Sequence, residues 1–403
     1  MKTKYLPTAL ILYLNYFIHG IGASLLGQQV VKELLAQQWG LVGAGGDLAA
    51  AAMSVTAVSA ALGLGRLISL PFAGPLSDKL GRRLSVIIGV ASYVIFFVGI
   101  AFSSSMAFAY VAAVLGGIAN SFLDTATYPA VAEIIDQYTG IATMGIKLFI
   151  TASQLLMPFF LGCVVGSRLS YLMLPVVAGI VIAILGVLAI FAPFPAESQT
   201  GKSESFIQNL KSAKFSVESI ALIALGFTTT ATFQLWLNCA QNFAKDVAGV
   251  AAENAAIMQT YYSAGSLVAL FVTSALITKI KQVRFLVIYP AIAVVMLVFV
   301  YLFKSPMICY VGSFVIGYSA AGGVLQIVSA TANDLFPKIK GTLTSLVMIF
   351  SSLCNYTILS AASKMTASNV IVMNIVITVI GVVLAVFVNA RYGTLLKNAE
   401  ASK

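Results

Sequence analysis

Charge is what this sequence has least of. Of 403 residues, 9% are charged and 60% are hydrophobic, whereas a soluble domain carries roughly 25% charged residues. So few charges cannot cover a water-facing surface, which excludes a soluble globular protein and makes lipid the solvent for most of the chain. Histidine occurs once and tryptophan twice. The four cysteines, Cys163, Cys239, Cys309 and Cys354, stand far apart inside apolar runs. They form neither a disulfide framework nor a metal-ligand spacing, and read as small packing residues. No metal cluster, nucleophile–base constellation or phosphate-binding glycine loop is found either, so the sequence points to no enzyme, no metal and no cofactor.

The net charge is +10, yet the basic residues form no tract that could follow a nucleic-acid backbone. They sit in short clusters between apolar runs, the pattern of loops between membrane segments. A transmembrane helix needs roughly 20 apolar residues to cross the hydrocarbon. Cutting at the polar breaks predicts twelve spans, at 8–31, 48–72, 84–102, 107–135, 141–166, 169–192, 216–244, 254–278, 285–303, 307–335, 341–363 and 369–390. The first is too long for a signal peptide and lacks a small-residue cleavage site.

Alternate loops differ sharply in Lys and Arg. One set holds sixteen of them, including Lys79, Arg82, Arg83, Lys279, Lys281 and Arg284; the other holds five, Lys32, Arg168, Lys245, Lys304 and Lys364. The positive-inside rule then puts both termini in the cytoplasm. The longest polar break splits the spans six and six. The expected organisation is therefore an N-terminal six-helix bundle over 1–192, a cytoplasmic linker over 193–215, and a C-terminal six-helix bundle with a short cytoplasmic tail over 216–403.

A shift of 201 residues brings Gly116 onto Gly317, Glu133 onto Asp334, Gly140 onto Gly341 and Arg83 onto Arg284. Several coincidences at one offset indicate a duplication. Two six-helix halves repeated in parallel, with a mid-membrane site between them, are one known transporter design.

After the second predicted span the chain reads Gly74-Pro-Leu-Ser-Asp-Lys-Leu-Gly-Arg-Arg83. This resembles the signature loop of the major facilitator superfamily, at the expected place between spans two and three. The resemblance implies an all-α membrane protein of twelve transmembrane helices in two pseudo-symmetric bundles, working as a transporter by alternating access. It also implies that the loop is a latch holding the cytoplasmic side closed. On that reading Gly74 and Gly81 permit a tight turn and close approach. Asp78 offers a carboxylate to a helix end or an arginine, and Arg82 or Arg83 pairs with Glu133. The repeat extends this to a second, weaker latch of Arg284 with Asp334. Read as a topogenic loop, the same residues would only set the orientation.

More of the chain is similar to a narrower group, the inner-membrane transport proteins of enterobacteria within this superfamily. The similarity lies in Pro7-Thr-Ala-Leu, Tyr13, Asn15-Tyr16, His19-Gly20, Gly65-Arg-Leu, Ala119 to Asp124, Tyr128-Pro129, Lys147, Gln154, Pro158 and Gly317 to Gln326. It implies a location in a bacterial inner membrane, and no particular cargo.

A charge inside the hydrocarbon is costly and needs a reason. Four titratable residues lie well within spans: His19, Arg66, Asp124 and Lys147. Asp124 shares a helix face with Asn120 and Tyr128. It could carry the coupling proton, serve as the ionised partner of Arg66 or Lys147, or touch the substrate. His19 has the titration range of a proton carrier, or it is a neutral ring bonded to a backbone carbonyl or to Asn15. The second half offers amides instead: Gln234 and Asn238 with Gln241 and Asn242, then Gln326, then Asn355. These either line a cavity or join packed helices. Pro129 and Pro158 can kink their spans.

These residues lead to one expectation: a proton-coupled symporter, expected to be monomeric, in a lipid bilayer. Its cargo would be a small polar or anionic organic solute, an organic acid of the shikimate or quinate type or a sugar. An exporter of amphipathic compounds is the alternative, although the run Gln154 to Pro158 keeps only the proline of an antiporter signature. A non-transporting membrane sensor would be expected to carry a soluble signalling domain or a long tail, whereas only a short stretch follows the last predicted span.

Overall fold

The computed structural model describes residues 3–43, 46–195, 215–277, 279–336 and 339–401. Among them helices and short turns are the only regular structure, and twelve helices are long and apolar enough to cross a membrane. Numbered in chain order, spans 1 to 6 are Leu6–Leu25, Leu48–Leu80, Arg82–Ala101, Met106–Ile134, Ile141–Gly166 and Met173–Phe191. Spans 7 to 12 are Val217–Asp246, Ala252–Leu276, Gln282–Phe303, Pro306–Leu335, Thr342–Ala362 and Ala367–Lys397. The chain divides into two compact units, Met1–Ser203 and Glu204–Lys403. Most of the expected linker, 196–214, lies outside the described residues.

The helices begin and end where local chemistry dictates. Ser105, Ser216 and Ser305 each stand at an N-cap and accept the backbone N–H three residues on, from Phe108, Ser219 and Ile308. That satisfies a donor that would otherwise face the membrane edge unpaired. Gly81, with φ of 93°, separates spans 2 and 3; a side chain there would be strained. The expected turn at Gly74 is absent. Span 2 runs on as helix to Leu80, and a Cβ at Gly74 would meet nothing within 4 Å. Pro158 opens a new helix, Met157–Gly166, so span 5 is interrupted at Leu156. Pro129 lies inside a continuous span 4.

The first span is shorter than expected. It ends at Leu25, and a separate helix, Gln29–Gln38, follows. Lys32, assigned above to an exposed loop, is fully buried in that helix and donates to Thr56 Oγ1 at 2.8 Å. Its neighbours Val30, Val31, Leu35 and Ala36 are buried with it, so an apolar face carries the lysine inside.

Each unit has the same internal packing. In the first, span 2 lies against span 4, span 1 against span 5 and span 3 against span 6; in the second, span 8 lies against 10, span 7 against 11 and span 9 against 12. The crossing of spans 2 and 4 is made by Gly65 and Gly117. A Cβ on Gly65 would strike the Val114 carbonyl, and one on Gly117 the Leu62 carbonyl. At the crossing of spans 8 and 10, Gly265 faces the Phe314 carbonyl and Gly317 the Tyr262 carbonyl. Backbones approach this closely only where both helices present small residues.

These four pairs of positions all differ by 200, not 201, so Gly317 corresponds to Gly117 rather than to Gly116. The helix starts agree, Arg82 with Gln282 and Met106 with Pro306, but span 4 ends at Ile134 and span 10 at Leu335, a difference of 201. The additional residue is visible. Gly317–Ala321 forms a π-helical turn in span 10, and such a turn accommodates one inserted residue. The repeat therefore changes register inside span 10. Arg83 and Arg284, paired above at 201, precede that turn and are not equivalents; the counterpart of Arg82 is Gln282.

Candidate functional site

Spans 1, 2, 4 and 5 of the first unit gather the buried ionisable groups. Span 4 presents Asp124, whose two oxygens are both engaged. Arg66 of span 2 donates through Nη2 to Oδ2 at 2.8 Å. Tyr16 of span 1 donates its hydroxyl to Oδ1, and Asn120, one turn back on the same helix, adds a contact at 3.3 Å. Tyr16 is itself wedged edge-on between the rings of Tyr128 and His19, with centroids 6.1 Å and 5.5 Å away. The His19 ring hydrogen-bonds through Nδ1 to the Tyr93 hydroxyl. Its partner is thus neither Asn15, which donates to the Ile11 carbonyl, nor a backbone carbonyl.

Span 5 brings Lys147 to the same cluster. Spans 1 and 5 meet at Gly20, where a Cβ would strike the Ile150 carbonyl and Ser153 Oγ. Lys147 lies one turn before that contact and Gln154 one turn after it, and His19 is within electrostatic reach of both Lys147 and Arg66. Among the described residues, neither Lys147 nor Gln154 makes a side-chain hydrogen bond or ion pair. His19, Arg66, Asp124 and Lys147 are half-buried and Tyr128 is exposed, so solvent reaches the cluster. The burial of unlike charges together is what makes it tolerable in a low-dielectric setting.

The amides of the second unit are more dispersed. On span 7, Asn238 donates to both the Gln234 carbonyl and Gln234 Oε1 at 3.0 Å, so the two partly satisfy each other along one helix. Gln241 and Asn242 are buried behind them. Gln326, just beyond the π-turn, is exposed. Asn355 of span 11 is half-buried, and its Oδ1 is buried without a donor.

The signature segment resolves into three different contacts. Arg82 takes Glu133 with both terminal nitrogens, Nη2 lying 2.6 Å from Oε1. Arg83 does not share this. It donates to the Ala192 carbonyl at 2.8 Å and lies over the Phe194 ring at 5.6 Å, holding the end of span 6. Asp78 is exposed and has no ion pair among the described residues. In the second unit Asp334 accepts from the Gln282 amide, and the expected pair with Arg284 is absent among the described residues. The reason is helical geometry. Gln282 starts span 9 where Arg82 starts span 3, and Arg284, two residues on, points away and is exposed.

Residues 12–355 match the model of the Major Facilitator Superfamily. The chain belongs to that superfamily. It is 30% identical over 396 residues to the inner membrane transport protein YdiN of Escherichia coli K12, covering 97% of this chain and 91% of that one. It is 31% identical to YdiM of the same organism and 31% identical to YfkL of Bacillus subtilis, an uncharacterized MFS-type transporter, over 97% of this chain in each case. The fold is similar to that of a D-xylose-proton symporter, with a TM-score of 0.76 at 15% identity over 96% of this chain and 97% of that one. It is also similar to a peptide transporter solved with sulfate, with a TM-score of 0.69 at 14% identity over 96% of this chain and 95% of that one. This superfamily member therefore has the transporter fold that its signature segment implied.

Two residues at the cluster escaped the sequence. Tyr16 entered only as part of the run Asn15-Tyr16 that resembles the transport proteins, with no role assigned, and Tyr93 lies in an apolar run that marks it in no way.

Proposed function

We propose that this transporter is a secondary symporter of a bacterial inner membrane, with both termini cytoplasmic. It moves a small polar or anionic organic solute together with protons by alternating access. The observation that carries this is the cluster of His19, Arg66, Asp124 and Lys147 on a solvent-reachable face of the first unit. Ionisable groups at this depth are retained against a cost of several kcal/mol, and in membrane proteins they mark ion and substrate paths. Proton coupling is further supported by the His19–Tyr93 hydrogen bond, which offers a proton a hydroxyl-linked station. The likeness to the D-xylose-proton symporter supports a polyhydroxylated cargo at the level of fold.

The latch residues fit the same cycle. Arg82 with Glu133 ties the start of span 3 to the end of span 4, and Gln282 with Asp334 does so more weakly in the second unit. The test is uptake into proteoliposomes under an inward proton gradient, across a panel of hydroxylated organic acids and sugars. At least one solute should accumulate, and collapse of the gradient or Asp124→Asn should abolish the accumulation. If no panel member accumulates under any gradient, the symport reading fails.

A further inference from the structure

Counting charge inside the first unit exposes an imbalance. Arg66 and Asp124 neutralise each other, and the carboxylate accepts from three donors: Arg66, the Tyr16 hydroxyl and Asn120. The other described acids of the unit are spoken for or remote. Glu133 holds Arg82, Asp47 caps the helix that begins at Leu48, Glu33 accepts from Gln29, and Asp78 and Asp136 are exposed. None of the described acids pairs with Lys147. A half-buried ammonium is thus left without an anion in a segment where an isolated charge is expensive.

A second group on the same helix is in the same position. Gln154 is 8% exposed, and its amide has no hydrogen bond among the described residues. Its amide atoms are not among the fully buried ones that lack a partner, so they remain reachable and open to a hydrogen-bonding group. Seven residues make two helical turns, so Lys147 and Gln154 lie on one face of span 5, separated by about 10 Å of rise. Thr151, between them, is turned back onto the Lys147 carbonyl at 2.9 Å and does not compete. One face therefore offers a cation at one end and a donor–acceptor amide at the other.

We propose that Lys147 receives the carboxylate, and Gln154 a hydroxyl or carbonyl group, of a singly charged hydroxylated solute of a few carbons, while Asp124 is the fixed counter-ion of Arg66. This rests on the transport reading above and narrows it, since a neutral sugar would leave Lys147 uncompensated. One negative charge balances the cluster. A dianion would overshoot it.

The full-length protein in detergent tests this by thermal shift, with sodium acetate, lactate and gluconate against sodium chloride at matched ionic strength, and with glucose as the uncharged control. Gluconate should raise the wild-type melting temperature most, acetate least, and glucose far less than gluconate. In Lys147→Met the gluconate midpoint concentration should rise at least tenfold, and in Gln154→Leu gluconate should fall back toward acetate. Lys147→Met should also melt a few degrees higher than wild type without any additive, because an uncompensated cation has been removed. A lower melting temperature would mean that Lys147 has a structural partner, and would overturn the proposal. Equal shifts by glucose and gluconate, no shift by any carboxylate, or a gluconate shift retained in Lys147→Met would do the same. Binding is read here without transport. Carboxylate shifts that depend on Lys147 in a protein that shows no gradient-driven uptake would break the symport reading alone; uptake of a carboxylate that survives Lys147→Met would break this assignment alone.

Discussion

At the start of span 3 an arginine grips Glu133 with two nitrogens; at the start of span 9 a glutamine offers Asp334 one amide. The two crossings of small residues, by contrast, are the same in both units down to which carbonyl each glycine faces. The difference separates two kinds of constraint. Where backbones touch, no side chain fits, and duplication leaves the position no freedom. Where side chains meet, a charged pair and an amide–carboxylate contact both close the same gap, and chemistry can drift. The ionisable cluster follows this logic. It lies within one unit, because charges in lipid are bearable only beside their partners, whereas single amides can be dispersed through the other unit at modest cost.

The comparison breaks most easily at the glycines. Gly117→Leu and Gly317→Leu should be equally damaging, since each would drive a side chain into a carbonyl of the facing helix. Overpacking of this kind costs roughly 1–3 kcal/mol where neighbours can shift, and backbone can shift less than side chains can. Both variants should be lost from the monodisperse peak in size-exclusion chromatography. If Gly317→Leu is tolerated and Gly117→Leu is not, the π-turn relaxes the second crossing and the two frames are not equivalent.

Next in size is the Arg66–Asp124 pair, which has no charged counterpart in the second unit. Its side chains are 29% and 18% exposed, and breaking such a buried pair from one side costs about 3–5 kcal/mol. The two sides should not be equal. Asp124→Asn strands a guanidinium that cannot shed its proton, while Arg66→Met leaves a carboxyl that can take one up. Melting curves should therefore place Asp124→Asn below Arg66→Met, with the double variant Arg66→Met/Asp124→Leu above both. A double variant less stable than either single one would mean that the pair is not an isolated unit.

The sequence made the frame legible because lipid writes it plainly: apolar runs of the right length and clustered bases left little choice of span. It also made the ionisable members of the cluster visible, since His19, Arg66, Asp124 and Lys147 stand out against an apolar background. It hid what that background absorbs. Tyr16 and Tyr93 look like core aromatics until their hydroxyls are seen on Asp124 and His19. Lys32 looked like a loop charge because the helix that buries it is too short to read as a span. The offset of 201 was a composite, for matches before the π-turn fit 200 and those after it fit 201. A one-residue insertion inside a helix has no composition of its own, so Arg284 was paired with Asp334 in place of Gln282.

The latches give the third test. Arg82→Gln reproduces in the first unit what Gln282 does in the second, and should cost about 2 kcal/mol, the range of a charge-assisted hydrogen bond. Gln282→Arg should be neutral or stabilising in melting curves, because Asp334 already sits within reach. A destabilising Gln282→Arg would show that the second contact needs a neutral partner.

The smallest effect contrasts two asparagines within the second unit. Asn374 is fully buried and satisfied: Nδ2 donates to the Thr232 carbonyl at 3.1 Å, and Oδ1 accepts from Thr378 at 3.2 Å. Asn355 keeps a buried Oδ1 with no donor. Interhelical hydrogen bonds in membranes average about 0.6 kcal/mol, so Asn374→Leu should lower stability by roughly 1 kcal/mol for the contacts it removes. Asn355→Leu removes an acceptor that is already unsatisfied, and should leave the melting temperature unchanged or raise it. The two substitutions have the same chemistry, so a difference in sign isolates the partner from the residue type. Equal losses in melting curves would show that Asn355 is satisfied in the folded protein, and would remove it from the residues free to meet a solute.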